Sequence, residues 1–367
     1  MLEQRIKPRT LLGPGPSNPH PSVLAAMSYP LIGHLDPQFI DLMVKVQEDL
    51  RYVFQTKNAL TIPVSGTGSA GMEAALCNFI DPGDRVLVGV NGYFGERICD
   101  MAGRYGAEVR RLERPWGEVF TSEEIRTVLE GHPAKIVCLI HAETSTGALQ
   151  PLEDLASVVH EHDGLLLVDC VTSLGGVPFK VDDWGIDIAY SATQKCLSVP
   201  PGLAPLTVGP RAMEVLNARK TKVPNWYLDL TMVGKYWGPE RTYHHTAPIS
   251  MNYALSEGLR LVREEGLEAR WARHQVNAEA LTEGLLKLGL EPLIPLEHRL
   301  PTLTTVRIPE GVEDAAVRRA LLDRYGIEIA GGLGIFAGKV WRIGLMGHSS
   351  RLENVTTLLG ALEHLLE

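Results

Sequence analysis

An aspartate and a lysine follow two short apolar runs near the middle of the chain. Asp169 comes directly after residues 165–168, and Lys195 follows residues 186–191. Both runs are predicted strands of a parallel sheet, and ligands of such sheets bind beyond the carboxyl ends of the strands. An amine that forms a Schiff base with an aldehyde, and a carboxylate that holds a pyridine nitrogen, predict a site for pyridoxal phosphate (PLP). A structural ion pair between the two residues is the competing interpretation.

A glycine-rich turn in residues 60–72 lies between an apolar run and a helical pattern. The free backbone N–H groups at the start of such a helix bind an anion, with the helix dipole behind them. Gly66, Gly68 and Gly71 match the dinucleotide fingerprint G-x-G-x-x-G. That fingerprint also needs an acid at the end of the next strand, where this chain has Asn91. A nicotinamide dehydrogenase is therefore disfavoured, and a single phosphate or a turn without a ligand remains.

Arg342 is the one charge in an apolar strand pattern, residues 340–343. A charge at such a position needs a partner. Two interpretations stay open, a structural salt bridge and an anionic ligand.

The composition is that of a soluble globular protein with room for two domains. The chain has 367 residues, of which 45% are hydrophobic and 22% charged. The net charge of −9, without a long basic block, disfavours nucleic acid and anionic membrane surfaces as partners. No signal peptide or membrane-spanning run is present. Five cysteines without a C-x-x-C pair predict free thiols, a cytoplasmic location and no metal site.

Strand and helix patterns alternate from residue 60 to residue 208, which predicts an α/β fold with a mainly parallel sheet and helices on both faces. Residues 221–247 lack periodicity and are predicted to be an irregular functional or interface segment. Gly266 interrupts two helical patterns. These boundaries divide the chain into an N-terminal arm of residues 1–20, a large cofactor-binding domain of residues 21–265, and a small C-terminal α/β domain of residues 266–367.

Capping-box patterns predict where two helices begin. Thr121 is followed by Glu124, and Ser350 is followed by Glu353, each at the spacing at which two side chains cap a helix reciprocally. Further helices are predicted over residues 151–162 and 312–325.

Eight motifs stand in the order seen in class V aminotransferases, and the chain most resembles the alanine–glyoxylate and serine–pyruvate aminotransferases of that family. The motifs are residues 12–18 (LGPGPSN), 65–68 (SGTG), 144–147 (TSTG), 168–176 (VDCVTSLGG), 191–195 (SATQK), 243–246 (YHHT), 331–334 (GGLG) and 341–344 (WRIG). The resemblance implies a PLP-dependent transferase of fold type I, like aspartate aminotransferase, with a seven-stranded, mainly parallel sheet.

The resemblance also implies a role for each site residue. Lys195 is the Schiff-base lysine, and Asp169 pairs with the pyridine nitrogen. The other cofactor contacts are Thr67, Gly68, Ser69 and Gln194 at the phosphate, Phe94 and Thr144 at the ring, and Tyr243 and Thr246 at the phosphate of the other subunit. The substrate carboxylate is held by Arg342 with Ser17 and Asn18. The chain departs from its relatives at Phe94, where many have Trp, and at Ser69, where some have His.

The implied reaction is a ping-pong transamination in a homodimer with shared active sites. It moves the amino group of a small amino acid, alanine or serine, to a small 2-oxo acid, glyoxylate or pyruvate. An aminotransferase for 2-aminoethylphosphonate or phosphoserine is an alternative. A cysteine desulfurase-like lyase is disfavoured because no cysteine follows Cys196. A non-enzymatic protein of this fold would be expected to lack Lys195 or Asp169.

Overall fold

The computed structural model describes residues 6–367, which form fourteen strands and twelve α-helices. The strands are β1 (Thr10–Leu11), β2 (Leu60–Ser65), β3 (Arg85–Val90), β4 (Glu108–Glu113), β5 (Ile136–Ile140), β6 (Ala142–Glu143), β7 (Ala148–Leu149), β8 (Leu165–Asp169), β9 (Ile188–Tyr190), β10 (Leu203–Val208), β11 (Leu303–Arg307), β12 (Ile327–Glu328), β13 (Ala330–Gly331) and β14 (Val340–Gly344). The helices are α1 (Pro21–Ala26), α2 (Pro37–Phe54), α3 (Gly68–Cys77), α4 (Tyr93–Arg104), α5 (Ser122–Gly131), α6 (Leu155–Glu161), α7 (Pro210–Asn217), α8 (Leu230–Trp237), α9 (Ile249–Glu265), α10 (Leu267–Lys287), α11 (Asp314–Ala320) and α12 (Leu352–Leu366).

The central sheet has seven strands in the order β2-β10-β9-β8-β5-β3-β4. Strand β10 runs antiparallel to both of its neighbours, and the other pairs are parallel. The predicted mainly parallel seven-stranded sheet is confirmed. Strands β8 and β5 are buried throughout, as continuous apolar runs predict for strands covered on both faces. The β8–β9 pairing places Asp169 opposite Tyr190.

The helices next to the site pack on strands of the central sheet. Helix α3 lies on β9 and β10, α4 on β3, and α6 on β8. These short connections bring the N-termini of α3 and α4 to the edge of the sheet where β8 ends, because the carboxyl ends of parallel strands share one edge.

Two hydrophobic cores account for most of the buried apolar side chains. The larger core contains residues from Val23 to Leu267 and covers the central sheet. The second core is formed by side chains from Leu281 to Leu362 together with Leu12 of the N-terminal arm. Gly266, with φ of +79°, separates α9 from α10. The domain boundaries at residues 20 and 265 stay a prediction.

The second core lies beside a small antiparallel sheet in the order β11-β14-β13. Strand β1 of the arm pairs in parallel with β12, with Thr10 opposite Ile327. The arm is thereby attached to the C-terminal part of the chain. Within residues 6–367, no helix combines the length and the hydropathy needed to cross a membrane.

Helix starts agree with the sequence at one capping box and disagree at the other. Thr121 and Glu124 form the predicted box at the start of α5. The box predicted at Ser350 is wrong: α12 begins after Arg351 without a side-chain cap. The Ser350 hydroxyl instead accepts a hydrogen bond from the Asn277 amide at 3.1 Å, which removes it from the helix end.

Three segments also differ in extent from their sequence patterns. The helix predicted over residues 151–162 begins only at Leu155. The helix predicted over residues 312–325 consists of α11 followed by a π-helical turn, Leu321–Tyr325. Residues 221–247, predicted to be irregular, contain α8, whose first turn is capped by Asp229 through a 2.9 Å bond from the Thr231 N–H.

Candidate active site

Asp169 ends β8 as a buried carboxylate with 3% of its surface exposed. Its Oδ2 accepts a hydrogen bond from the Tyr190 hydroxyl at 2.7 Å, and its Oδ1 accepts one from the Val171 N–H at 2.8 Å. Burial raises the pKa of Asp169 to about 6, and these two donors oppose the rise. The carboxylate is therefore ionised at neutral pH, although it lies in the interior.

Lys195 lies in the loop after β9, close to two other charged side chains. Burial, with a smaller contribution from the positive charge of Arg342, lowers the pKa of its amine to about 8. The negative charge of Asp169 acts in the opposite direction. An amine with this pKa is partly neutral near neutral pH, and the neutral form is the one that adds to a carbonyl group.

The N-terminal arm passes directly over Lys195. The lysine Nζ donates a hydrogen bond to the Pro14 carbonyl oxygen. At Gly15, which has φ of +106°, a Cβ atom would lie 2.6 Å from Nζ. Only glycine suits this position, both because of the backbone conformation and because of the space that the lysine side chain occupies.

Ser17 and Asn18, predicted to bind the substrate carboxylate, fasten the arm. The Ser17 Oγ donates to the Lys195 carbonyl oxygen at 2.7 Å. The Asn18 Oδ1 accepts from the Leu11 N–H at 2.7 Å, and its Nδ2 donates to the Arg9 carbonyl at 2.9 Å. Their polar side-chain groups thus have partners in the protein. A role for either residue in substrate binding stays a prediction.

The predicted phosphate residues surround the start of α3. Thr67 is the N-cap and makes no side-chain capping bond, and among residues 6–367 no protein acceptor faces the backbone N–H groups of Gly68 and Ser69. A Cβ on Gly68 would lie 2.8 Å from the Ala192 Cβ. The buried Gln194 Oε1 has no hydrogen-bond partner in the same part of the chain. Free N–H groups at a helix start fit a bound phosphate. The Gln194 Oε1 is an acceptor, so only the Nε2 end of this amide could donate to a phosphate oxygen.

Phe94 and Thr144 lie where β6 and α4 meet. The Thr144 hydroxyl is 2.5 Å from the Thr172 hydroxyl, and the Phe94 N–H donates to Glu143 Oε2 at 3.3 Å. Glu143 is buried and also accepts the Ser145 N–H and hydroxyl at 3.0 and 2.6 Å. Burial raises its pKa to about 7. Glu143 therefore links the start of α4 to the Thr144 turn.

Glu143 and Tyr190 are site residues that sequence reasoning missed. No local signal marks Tyr190, because its place opposite Asp169 follows from the register of β8 and β9, which the sequence does not give. The available signal for Glu143 was a carboxylate shortly after the buried strand β5, which ends at Ile140, a weaker form of the signal that identified Asp169.

Arg342 has 6% of its surface exposed and no acidic partner. Its Nε donates to the Gly331 carbonyl at 2.8 Å, and its Nη1 donates to the Thr144 carbonyl at 3.1 Å. Throughout the described chain, no carboxylate oxygen lies within 4.0 Å of its guanidinium group. Burial lowers its pKa to about 10, so it remains charged. The structural salt bridge is absent, and the remaining N–H groups are available to an anionic ligand.

Tyr243 and Thr246 lie on the surface. Tyr243 is 56% exposed, and its ring lies 5.1 Å from that of His34. The intervening His245 binds the Ser65 hydroxyl through Nε2 at 2.7 Å. The segment is thus anchored beside the end of β2 while its two predicted phosphate ligands face outward.

Comparisons with known proteins agree with this geometry. The family model for aminotransferase class-V matches residues 22–352. The crystal structure of an alanine–glyoxylate aminotransferase from Nostoc sp. is 59% identical, with a TM-score of 0.98 over 100% of this chain and 98% of that chain. The ureidoglycine–glyoxylate aminotransferase of Bacillus subtilis is 44% identical, with a TM-score of 0.97 over 99% and 94%. The alanine–glyoxylate aminotransferase of Mus musculus is 42% identical over 99% of this chain and 88% of its own length.

The substitution Asp169→Asn is expected to stabilise the cofactor-free protein at neutral pH. Because burial raises the pKa of Asp169 from 3.8 to about 6, the folded state binds this proton more tightly than the unfolded state. The contribution of the protonated Asp169 side chain to the free energy of unfolding is therefore fully present below pH 3.8, and it is lost as pH rises through about 6. Asparagine removes this cost, so urea denaturation near pH 7.5 should give about 2–3 kcal/mol more free energy of unfolding. The difference should vanish below about pH 3.5. A less stable variant at neutral pH would contradict the assignment.

Proposed function

Because this chain belongs to the class V aminotransferases, a family of PLP-dependent enzymes, we propose that it transfers the amino group of alanine or serine to glyoxylate or pyruvate. The observation that carries the proposal is the buried Arg342, which lacks an acidic partner and lies close enough to Lys195 to lower its pKa. A small anionic substrate held by Arg342 would present its α-carbon to the amine of Lys195.

The protein side chains divide the chemistry between them. When bound, PLP supplies an aldehyde that condenses with amines and a ring that withdraws electrons from the substrate α-carbon. The Asp169 carboxylate would hold a proton on the ring nitrogen, which would strengthen this withdrawal. The Lys195 amine, with its lowered pKa, would take the proton from the substrate α-carbon and deliver it to the former aldehyde carbon of the cofactor.

Arg342 selects for a carboxylate. Its planar guanidinium offers two parallel N–H groups to both oxygens, a geometry that lysine cannot reproduce. The Gly331 and Thr144 carbonyls fix its orientation from β13 and from the turn after β6. The amino acid and the 2-oxo acid each carry a carboxylate next to the reacting carbon. Arg342 would therefore bind the substrate in both halves of a ping-pong reaction.

Glyoxylate is the acceptor best supported by the relatives, because the alanine–glyoxylate enzymes of Nostoc sp. and Mus musculus and the ureidoglycine–glyoxylate enzyme of Bacillus subtilis are all named for it. The amino donor differs among these names. Ureidoglycine is therefore a second candidate donor beside alanine and serine.

We also propose that the enzyme is a homodimer in which Tyr243 and Thr246 reach the phosphate site of the other subunit. Exposed aromatic rings surround this segment: Trp226 stacks on His244 at 4.4 Å and is 58% exposed, and Tyr227 lies beside it. A contiguous exposed aromatic surface is typical of a protein interface. A cytoplasmic location is proposed as well, supported by five free cysteines.

The proposed reaction is tested with a panel of donors and acceptors. Alanine, serine, ureidoglycine and phosphoserine are each paired with glyoxylate and pyruvate, and product formation is measured. Alanine or serine with glyoxylate should give the highest kcat/KM. Lys195→Ala should lower kcat at least about a thousandfold, because the proton transfer loses its base. Wild-type turnover by Lys195→Ala, or a clear preference for phosphoserine, would overturn the proposal.

Replacing Arg342 should affect the KM for substrate more than kcat. Arg342→Gln is expected to raise the KM for alanine about a hundredfold, because a buried carboxylate loses its charged partner. Arg342→Lys keeps the charge but not the two parallel donors, so about a tenfold rise is expected. Arg307→Gln is the matched control, since Arg307 lies exposed on the adjacent strand β11. Equal KM values for all variants would exclude Arg342 as the carboxylate ligand.

Shared active sites are tested with hybrid dimers. A Lys195→Ala subunit is combined with a subunit carrying Tyr243→Ala and Thr246→Ala, each with its own affinity tag, and the hybrid is isolated. In a shared-site dimer, one of the two sites keeps an intact lysine and intact phosphate ligands. The hybrid should then recover about half of the wild-type activity at limiting PLP, while both parents stay nearly inactive. A hybrid no more active than its parents would show that the sites are not shared.

A further inference from the structure

Arg97, in the first turns of α4, lies against the predicted phosphate site. Its guanidinium carbon is 4.8 Å from the centre of the Phe94 ring and 5.5 Å from that of Tyr93, distances typical of cation–π contacts. Its Nη1 donates to the Ser69 Oγ at 3.4 Å. The guanidinium is thus held between the aromatic start of α4 and the first turn of α3.

The charge of Arg97 is not neutralised by a neighbouring acid. The carboxylate of the preceding residue, Glu96, is engaged by both terminal nitrogens of Arg111, at 2.6 and 2.7 Å. In residues 6–367, no carboxylate oxygen lies within 4.0 Å of the Arg97 side-chain nitrogens. Its positive charge also lowers the pKa of Asp169, which places it within electrostatic range of the cofactor site.

The other groups around the start of α3 are neutral. Thr67, Gly68 and Ser69 offer backbone N–H groups and hydroxyls, and the Gln194 side chain is uncharged. A phosphate ester carries close to two negative charges at neutral pH, and a helix N-terminus supplies only about half of one positive charge. A phosphate bound here therefore calls for a full positive charge from a side chain.

We propose that Arg97 is a ligand of the cofactor phosphate, positioned by stacking on Phe94 and by its hydrogen bond to Ser69. The proposal rests on the PLP-dependent function proposed above. The proposal also accounts for both positions at which this chain differs from its relatives. Phe94 provides a flat apolar face for the guanidinium, and Ser69 provides a small acceptor that leaves room for it. The planar fork of arginine suits two phosphate oxygens at once.

The test compares two cofactor forms that differ only in the phosphate. Apoprotein of wild type, Arg97→Met, Arg97→Lys and Arg104→Met is titrated with PLP and with pyridoxal, and binding is followed by the absorbance of the lysine adduct. Arg104 is the matched control, since it is an exposed arginine near the end of the same helix. Competition by inorganic phosphate against PLP is measured on the same proteins.

Arg97→Met should raise the Kd for PLP by about tenfold to a hundredfold, the range of one charge-assisted hydrogen bond, and should leave the Kd for pyridoxal within about twofold. Arg97→Lys should lie between wild type and Arg97→Met. Inorganic phosphate should compete less well with PLP in Arg97→Met, and Arg104→Met should match wild type throughout.

Equal weakening of PLP and pyridoxal would overturn the proposal, because Arg97 would then act through the Phe94 ring rather than through phosphate. Unchanged PLP binding in Arg97→Met would overturn it as well. Failure of the wild-type protein to bind either form at Lys195 would instead refute the PLP-dependent function and the present proposal together. If Arg97→Met binds neither PLP nor pyridoxal and Arg97→Lys restores binding of neither, the result counts against a phosphate contact.

Discussion

The site depends on keeping one negative charge inside the protein. In the proposed function Asp169 must be ionised to hold a proton on the cofactor ring, yet burial favours its neutral form. The structure meets this need with the Tyr190 hydroxyl, the Val171 N–H and two nearby cations, Lys195 and Arg97. The pairing of β8 with β9 therefore matters for the charge of Asp169, because it places the Tyr190 hydroxyl opposite this carboxylate.

The buried charge of Arg342 has no acidic partner within 4.0 Å in the described chain, and in the proposed function a ligand supplies one. Arg342 is nearly inaccessible and donates hydrogen bonds only to carbonyl oxygens, although the more distant Glu143 carboxylate raises its pKa. The start of α3 presents N–H groups without protein acceptors. An unpaired buried charge is costly. In the proposed function a substrate carboxylate removes this cost at Arg342 on binding, so the same missing partner that lowers the stability of the empty protein contributes to its affinity for substrate.

The sequence predicted the residues whose signal is local and missed those whose importance depends on distant partners. Asp169 and Lys195 follow buried strands, so their positions could be derived from short patterns. Tyr190 looked like a core residue, and its role appears only with the strand register. Glu143 contacts the backbone 49 residues earlier at the start of α4. Ser350 matched a capping pattern, but its hydroxyl is engaged by a residue 73 positions away, which no local pattern can reveal.

The N-terminal arm is joined at both ends to parts of the chain that belong to different cores. Strand β1 is paired with β12, and the Asn18 N–H donates to the Ser349 hydroxyl at 3.0 Å, while Ser17 is bonded to the backbone of Lys195. The arm is thus a tether of a few residues between the C-terminal layer and the lysine loop. If the C-terminal part that contains β12 rotated against the central sheet, it would pull on the loop that carries Lys195 or break these hydrogen bonds. Such a rotation and the position of the Lys195 amine are therefore mechanically coupled.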